Sequence, residues 1–316
     1  MLRWICIFAA LPALTSCGDC EPGDRRNNSD CDQDTGCDCA ECREDSDVPE
    51  DTQPPVDTAD TGEPPPPPPL MVAIYDDSTE PMPGAWAPGL DYIEAAITGA
   101  GHHVLRIHRD ELNTEPGLLQ GFDVLLFGGG FAYPGYTVNI SDRGKARIQE
   151  FIHAGGAYVG ICAGAYFVCD SLDYEGHPIG DESGYDTDLY PGVCSGPVHE
   201  VSSYPYWAQA TVDFPGHEAY ETFEPGEFQR QLYYAGGPAF PHLPDEVEVL
   251  ATYANDGPHQ GLPAAVTLPY GYGRIVLWGP HPEVLEVDEH PEVTLDHRNR
   301  ELYTTVVTWA ARRSEG

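Results

Sequence analysis

The sequence is poor in basic residues. It contains one lysine, Lys145, and 15 Lys and Arg residues in total against 52 Asp and Glu, which gives a formal net charge of −37. Proteins bind the phosphates of nucleic acids through basic surface, so this composition excludes a nucleic-acid partner. A strongly acidic surface favours solubility and carries no information on the fold.

Long hydrophobic runs are also lacking. The apolar run at residues 4–14, which follows Arg3, is shorter than the ~20 residues that a membrane-spanning helix needs. This pattern is typical of a signal peptide for export, which we place at residues 1–16. The run ends in Leu-Thr-Ser-Cys at residues 14–17, which resembles the lipobox of bacterial lipoproteins.

By that resemblance, the signal is cleaved before Cys17 and this cysteine receives lipid. Acyl chains contribute about 0.8 kcal/mol per buried methylene, so a lipidated Cys17 holds the chain on a membrane without a spanning helix. We therefore expect an exported bacterial lipoprotein, in the periplasm or at the cell surface. An ordinary secretory signal with a coincidental cysteine is the alternative.

Large apolar side chains are almost absent from residues 17–69. Residues 18–69 contain 16 Asp and Glu and three Arg, and they end in six consecutive prolines. Such a segment cannot bury enough apolar surface to offset the conformational entropy of its chain. We expect residues 17–69 to form a disordered acidic tether between the membrane and a folded domain.

Besides Cys17, five of the ten cysteines lie in this tether, at positions 20, 31, 37, 39 and 42. Disulfide bonds are the expected state of such cysteines in an oxidising location. A calcium loop is the alternative, because aspartates alternate at positions 30, 32 and 34. The glycine that an EF-hand loop requires falls one position late, at Gly36, which makes calcium the weaker interpretation.

Metal-binding spacings such as HExxH are absent, and so are repeats of the solenoid kind. We therefore expect neither a metal ion nor another cofactor.

Residues 70–313 form the folded region. Strands are predicted at residues 70–77, 102–107, 122–127 and 156–161, and helices at 89–100 and 141–153.

This order of elements predicts an α/β fold of the flavodoxin-like kind, in which a mainly parallel sheet carries helices on both faces. After Cys169, Tyr-, Pro- and Gly-rich stretches with short alternating runs predict an inserted region of antiparallel strands. Alternation returns at 246–253 and 264–279, where Gly-Tyr-Gly at 271–273 predicts a hairpin turn. A final amphipathic helix is expected within residues 292–313.

Residues 160–164, Gly-Ile-Cys-Ala-Gly, have the form of a nucleophile elbow with cysteine in the place of serine. In such an elbow the strand turns so tightly into a helix that glycine is needed beside the nucleophile. A helix from about Ala163 to Cys169 would point its amino end at the sulfur of Cys162 and favour the thiolate. A buried core cysteine is the alternative.

Two groups of backbone amides are candidates for an oxyanion hole. One is the amide of Ala163, and the other is the turn after the third strand, formed by Gly128, Gly129 and Gly130. The alternative is that these glycines only permit a tight turn.

A cysteine nucleophile needs a base, and the base needs an orienting acid. His281, Pro282 and Glu283 follow an apolar strand. A residue before proline is pushed toward extended backbone, so His281 and Glu283 should project to the same side. The letters HPEV recur at His290, but no apolar strand precedes that copy, and His281 is preferred.

The elbow, the glycine turn and the H-P-E motif together resemble the class I glutamine amidotransferase fold, whose triad is Cys, His and Glu. Within that fold, residues 155–167, 233–240 and 273–283 are most similar to the domain at the amino end of some biotin-protein ligases. The resemblance covers residues 70–313.

The resemblance implies that Cys162 is the nucleophile, His281 the base and Glu283 its orienting acid. Candidate pocket residues from the same stretches are Tyr233, Tyr234, Gly236 and Gly237. Core and turn positions are the alternative for those four.

The sequence departs from the family in ways that bear on function. Nothing resembles the adenylate loop of a biotin ligase, so biotinylation is excluded. An exported domain also has no access to the partner synthase of a glutamine amidotransferase.

We expect a hydrolase or amidase that cleaves a small-molecule or peptide amide or ester through a thioester at Cys162. A catalytically silent ligand-binding domain is the alternative, and a structural lipoprotein is a third possibility.

Cysteine pairing bears on these alternatives. If Cys169 and Cys194 pair with each other, Cys162 is the free thiol of the folded region, as a nucleophile requires. Pairing of Cys162 itself would silence the site. The sequence leaves both pairings open.

Overall fold

The computed structural model describes residues 68–179, 187–202, 206–286 and 295–312. The expected signal peptide, Cys17, the tether up to residue 67 and His290 lie outside the described residues. The strands are β1 (Met71–Asp76), β2 (His103–His108), β3 (Val124–Phe127), β4 (Ala157–Ile161), β5 (Cys169–Tyr174), β6 (His177–Ile179), β7 (Tyr190–Gly196), β8 (Ala208–Phe214), β9 (Phe228–Tyr234), β10 (Ala239–His242), β11 (Glu248–Tyr253), β12 (Pro263–Tyr270) and β13 (Gly273–Trp278). The helices are α1 (Ala87–Gly99), α2 (Arg109–Thr114), α3 (Thr137–Asn139), α4 (Asp142–His153), α5 (Ala163–Phe167) and α6 (Arg298–Ala311), together with a π-helical turn at Ala132–Tyr136 and a 3₁₀ turn at Glu218–Tyr220.

Within the described residues, nine strands form the main sheet in the order β2-β1-β3-β4-β13-β12-β11-β8-β9. The five strands from β2 to β13 are parallel to one another, whereas β12, β11, β8 and β9 continue the sheet in antiparallel pairs. The parallel part contains all four of the strands that the sequence predicts before Cys162.

The central strands are covered on both faces. All residues of β3 and β4 are buried, and continuous burial of this kind is typical of parallel strands between two layers of helices. α1 packs against α6, and α2 packs against α4. The expected α/β fold is therefore confirmed.

The inserted region differs in part from the expectation. β8 and β9 are antiparallel but extend the main sheet, while β10, β7, β5 and β6 form a second sheet in which β5 and β7 run parallel. A disulfide bond joins Cys169, the first residue of β5, to Cys194 in β7. Short alternating runs do not reveal which strands share a sheet, so the division of the inserted strands between two sheets could not be predicted from the sequence.

The expected hairpin joins β12 to β13, with Tyr270 opposite Gly273. Gly271 has φ +60°, a left-handed backbone that favours glycine. The final helix, α6, begins at Arg298, later than the amphipathic pattern suggested. Among the residues that the structure describes, no helix is long and apolar enough to cross a membrane.

Candidate functional site

Neighbouring parallel strands bring distant parts of the sequence to one edge of the main sheet. β3, β4 and β13 lie side by side, so the residues that follow them meet at their carboxyl ends. The backbone N–H of Cys162, directly after β4, donates to the carbonyl of Trp278, the last residue of β13, over 2.8 Å. Cys162 and His281 therefore lie at the same sheet edge although 119 positions, from 162 to 281, separate them.

The backbone at Cys162 has the strained geometry of an elbow. Its φ is +51° and its ψ −102°, a conformation that costs a non-glycine residue about 1–3 kcal/mol. A Cβ at Gly160 would lie 2.5 Å from the carbonyl oxygen of Gly164, and a Cβ at Gly164 would lie 2.3 Å from that of Phe127. The turn therefore requires both glycines, as the sequence predicted.

The helix after the elbow is shorter than expected. α5 ends at Phe167 instead of reaching Cys169, because β5 begins at Cys169. The N–H groups of Ala165 and Tyr166 donate to the carbonyl of Cys162 over 3.1 and 3.0 Å. Few peptide dipoles align in so short a helix, so the helix adds little positive charge near the sulfur of Cys162. Positive charge there comes mainly from side chains.

His281 and Glu283 form a buried pair. Nδ1 of His281 lies 2.8 Å from Oε1 of Glu283, and the side chains are 3% and 0% exposed. The backbone N–H of His281 donates to the carbonyl of Tyr233 over 2.7 Å, after which residues 282–283 turn. The two side chains thus meet across a turn, and not through the continuous extended backbone that Pro282 suggested.

The environment of His281 favours its charged form. Burial, the largest contribution, opposes the imidazolium, but the carboxylate of Glu283 and a hydrogen bond with Cys162 together raise the pKa of His281 to about 10. Because Nδ1 faces the carboxylate, Nε2 is the ring nitrogen left for the sulfur. This arrangement can accept a proton from sulfur and hold it beside Glu283.

Cys162 is itself a free thiol, 5% exposed, and the disulfide between Cys169 and Cys194 leaves it unpaired. Of the two pairings that the sequence left open, the structure has the one that leaves the Cys162 thiol free.

The glycine turn after β3 lies next to His281 and is bonded to the helix that follows Cys162. A Cβ at Gly129 would lie 2.3 Å from Cε1 of His281. The carbonyl of Gly128 accepts the N–H of Gly164 over 3.1 Å, which joins the turn to α5. Gly130 lies on the wall of the cavity at Cys162. Ala163 is the first residue of α5, and a first helical N–H has no acceptor inside its own helix.

A cavity of about 310 Å³ opens beside Cys162. Of the four predicted pocket residues, Gly236 lines it. Tyr234 and Gly237 lie in the core, where the Tyr234 hydroxyl donates to the Gly237 carbonyl over 2.7 Å. Tyr233 packs instead on His281. The sequence missed most of the cavity wall: Phe131, Ala132, Tyr133, Tyr166, Leu172, Tyr174, Ile179 and Ala235.

Two aromatic rings cover the imidazole. His281 lies edge-on to Tyr233, with ring centroids 5.4 Å apart, and to Trp86 at 6.3 Å. The rings of Trp86 and Tyr233 stack on each other with centroids 6.2 Å apart. Trp207 also stacks on Tyr233, with centroids 5.5 Å apart. Sequence reasoning missed Trp86, whose one signal is a large aromatic residue in a loop after the first strand.

Asp77 holds the loop that carries Trp86. Its side chain is buried, and its Oδ1 accepts the N–H groups of Gly84 and Ala85 over 2.9 and 2.7 Å. Its Oδ2 accepts the side-chain amide of Asn139 over 2.7 Å. Asp77 is therefore a positioning residue for the loop that covers the site.

Comparison with known families agrees with this geometry. The family described as "Biotin-protein ligase, N terminal" matches residues 94–315, a range that includes Cys162, His281 and Glu283. An uncharacterized protein of Chlamydia muridarum (strain MoPn / Nigg) is 34% identical over 193 residues, which are 58% of this chain and 68% of that protein.

A biotin–protein ligase of Schizosaccharomyces pombe (strain 972 / ATCC 24843) is 27% identical over 157 residues, which are 47% of this chain but 24% of the ligase. The chain thus spans about a quarter of that enzyme. Among solved structures, PurLQS from Thermotoga maritima and a glutamine amidotransferase superpose with TM-scores of 0.50 at 14% and 16% identity. They cover 76% of this chain, and the match covers 98% and 99% of theirs, which shows a shared fold.

Proposed function

Because the chain belongs to the biotin-protein ligase N-terminal domain family, we propose that its elbow site is that of a cysteine-dependent hydrolase or amidase. The observation that carries the proposal is the buried, hydrogen-bonded series of Cys162, His281 and Glu283 beside an open cavity. A cysteine that served only for packing would need neither a charged partner nor a strained backbone. The substrate is a small-molecule or peptide amide or ester.

The proposed reaction has two steps. The sulfur of Cys162 gives its proton to His281 and attacks the carbonyl carbon, while the amides of Ala163 and Gly130 receive the developing oxyanion. The C–N or C–O bond breaks, and the leaving amine or alcohol takes the proton from His281. Water then attacks the thioester with His281 as base, which releases a carboxylic acid and restores the thiol.

Glu283 supports both steps by its charge. It keeps the imidazole in one orientation and stabilises the imidazolium that forms when sulfur loses its proton. Trp86 and Tyr233 exclude water from that ion pair, which strengthens it.

Alkylation and labelling of the full chain test this proposal. Iodoacetamide at neutral pH, followed by peptide mapping, should modify Cys162 faster than in the His281→Ala variant by about 10²-fold or more. Electrophilic amide and ester probes should label the wild type and not Cys162→Ala. Labelling that survives both substitutions would remove the enzyme hypothesis, and an inert Cys162 thiol would favour a silent ligand-binding domain.

The proposal includes export and a lipid anchor at Cys17, for which the sequence pattern at residues 14–17 is the support. Metabolic labelling with an alkynyl fatty acid in a bacterial host should tag the wild-type chain and spare the Cys17→Ala variant. Equal labelling of the two chains, or none of either, would contradict the anchor.

A further inference from the structure

The cavity beside Cys162 has an apolar, aromatic wall. Its large side chains are Phe131, Tyr133, Tyr166, Leu172, Tyr174 and Ile179. Among the described residues that line it, none carries a charged side chain. The Tyr166 hydroxyl is already engaged, because it donates to the carbonyl of Gly236 over 3.0 Å.

This wall disfavours the binding of a charged substrate. A charged group that leaves water without a partner loses several kcal/mol of hydration, so a carboxylate or an ammonium would enter such a cavity at a large cost. Free glutamine carries both groups. An uncharged apolar group would instead gain free energy in proportion to the apolar surface that it buries.

One side of the wall is built from the second sheet. Leu172 and Tyr174 are two positions apart on β5 and so point to the same face, and Leu172 stands directly opposite Ile179 on β6. The disulfide between Cys169 and Cys194 fixes β5 to β7. This face belongs to the inserted region, so it is a property of this chain's insertion and not of the parallel sheet.

The size of the cavity sets a limit as well. About 310 Å³ is at the lower end of the range for small-molecule sites, ~300–1,000 Å³. The space suits a short aliphatic or an aromatic group next to the reacting carbonyl and does not suit a long chain.

From these observations we propose that the site accepts esters and amides whose acyl group is short, uncharged and apolar. It discriminates against anionic acyl groups and against amino-acid acyl groups. This inference rests on the proposed hydrolase function. The acyl group lies in the cavity, its carbonyl carbon meets the sulfur, and the leaving group faces solvent past the exposed Tyr133.

Hydrolysis of p-nitrophenyl esters by the full chain tests the inference. We expect kcat/KM to rise about fourfold per methylene from the acetyl to the pentanoyl ester. The succinyl ester, of similar length but anionic, should react at least about tenfold more slowly than the pentanoyl ester. The Cys162→Ala variant supplies the background rate for each ester.

A rim substitution gives a second readout that does not disturb the core. Tyr133 is 54% exposed, and Tyr133→Asp places a carboxylate at the cavity mouth. We expect about a tenfold loss of kcat/KM for the pentanoyl ester and a smaller loss for the acetyl ester. Tyr272→Asp, at a tyrosine 76% exposed in the β12–β13 turn, is the matched control and should leave both rates unchanged.

The outcomes separate the two proposals. Turnover that depends on Cys162 but is equal for the succinyl and pentanoyl esters would overturn the apolar substrate class alone. The absence of any Cys162-dependent turnover, for all esters, would overturn the hydrolase function and the substrate class together.

Discussion

Gly129 lies so close to His281 that a Cβ at position 129 would fall 2.3 Å from Cε1 of the imidazole. Gly129 thus supports the ring from the side of β3, while Glu283 holds it by Nδ1. The glycine turn has a role that the sequence did not suggest: besides offering amides, it leaves room for the base.

We expect Gly129→Ala to displace the imidazole from the sulfur. A displacement of about 1 Å is enough to lower the reactivity of Cys162 by about 10- to 100-fold. The rate of alkylation of Cys162 by iodoacetamide measures the effect. Gly99→Ala, at the end of α1, is the matched control, because a Cβ there meets nothing within 4 Å. A wild-type rate in Gly129→Ala would show that the turn does not position His281.

Glu283→Gln should destabilise the protein in a pH-dependent manner. The pKa of His281 is raised from 6.5 to about 10, so its pairing with Glu283 contributes full stability below pH 6.5 and loses it as the pH rises through about 10. We expect a loss of about 3 kcal/mol at pH 6 that shrinks toward pH 10.

Urea unfolding at pH 6, 8 and 9.5 measures this difference. Glu246→Gln, at an exposed position, is the control and should stay within about 0.5 kcal/mol of the wild type. A difference between wild type and Glu283→Gln that is the same at all three pH values would contradict the assignment.

Asp77→Ala should loosen the loop that covers the site. The substitution leaves two backbone N–H groups and one N–H of the Asn139 side-chain amide without their acceptor, so we expect a loss of about 3 kcal/mol in the free energy of unfolding. Fluorescence of Trp86 should also shift toward that of a solvated indole. Asp245→Ala, an exposed position, is the control. An unchanged stability would mean that other contacts hold the loop.

Replacing both Cys169 and Cys194 by alanine should lower the free energy of unfolding by about 3 kcal/mol, because the link closes a loop of 25 residues in the unfolded chain. Cys162→Ala keeps the link and serves as the comparison. Non-reducing peptide mapping should recover the Cys169–Cys194 pair. A crosslinked peptide that contains Cys162 would contradict this pairing.

Much of the parallel sheet and of the edge that carries the candidate site could be predicted from the sequence, because those parts depend on local patterns. The apolar runs of β3 and β4 mark buried strands, and the glycines at 160 and 164 mark an elbow whose backbone has no space for a side chain. The helix at Asp142–His153 was predicted from Ser141, whose hydroxyl accepts the N–H of Gly144.

The cavity wall could not be predicted, because it depends on pairing between strands far apart in the sequence. Leu172 and Ile179 meet only through the register of β5 and β6, and Trp86 reaches His281 only because Asp77 holds its loop. Alternation of apolar residues shows which side chains share a face of a strand, but it does not show which strand lies opposite.

β4 and β13 are adjacent in the sheet, and Cys162 and His281 each follow one of them. The spacing of hydrogen-bonded strands, about 4.8 Å, thus places the backbone before Cys162 next to the backbone that leads to His281. The cavity wall at Leu172 and Ile179 comes from β5 and β6 of the second sheet, so a change in those two strands would reshape the cavity and leave the strands that carry Cys162 and His281 in place.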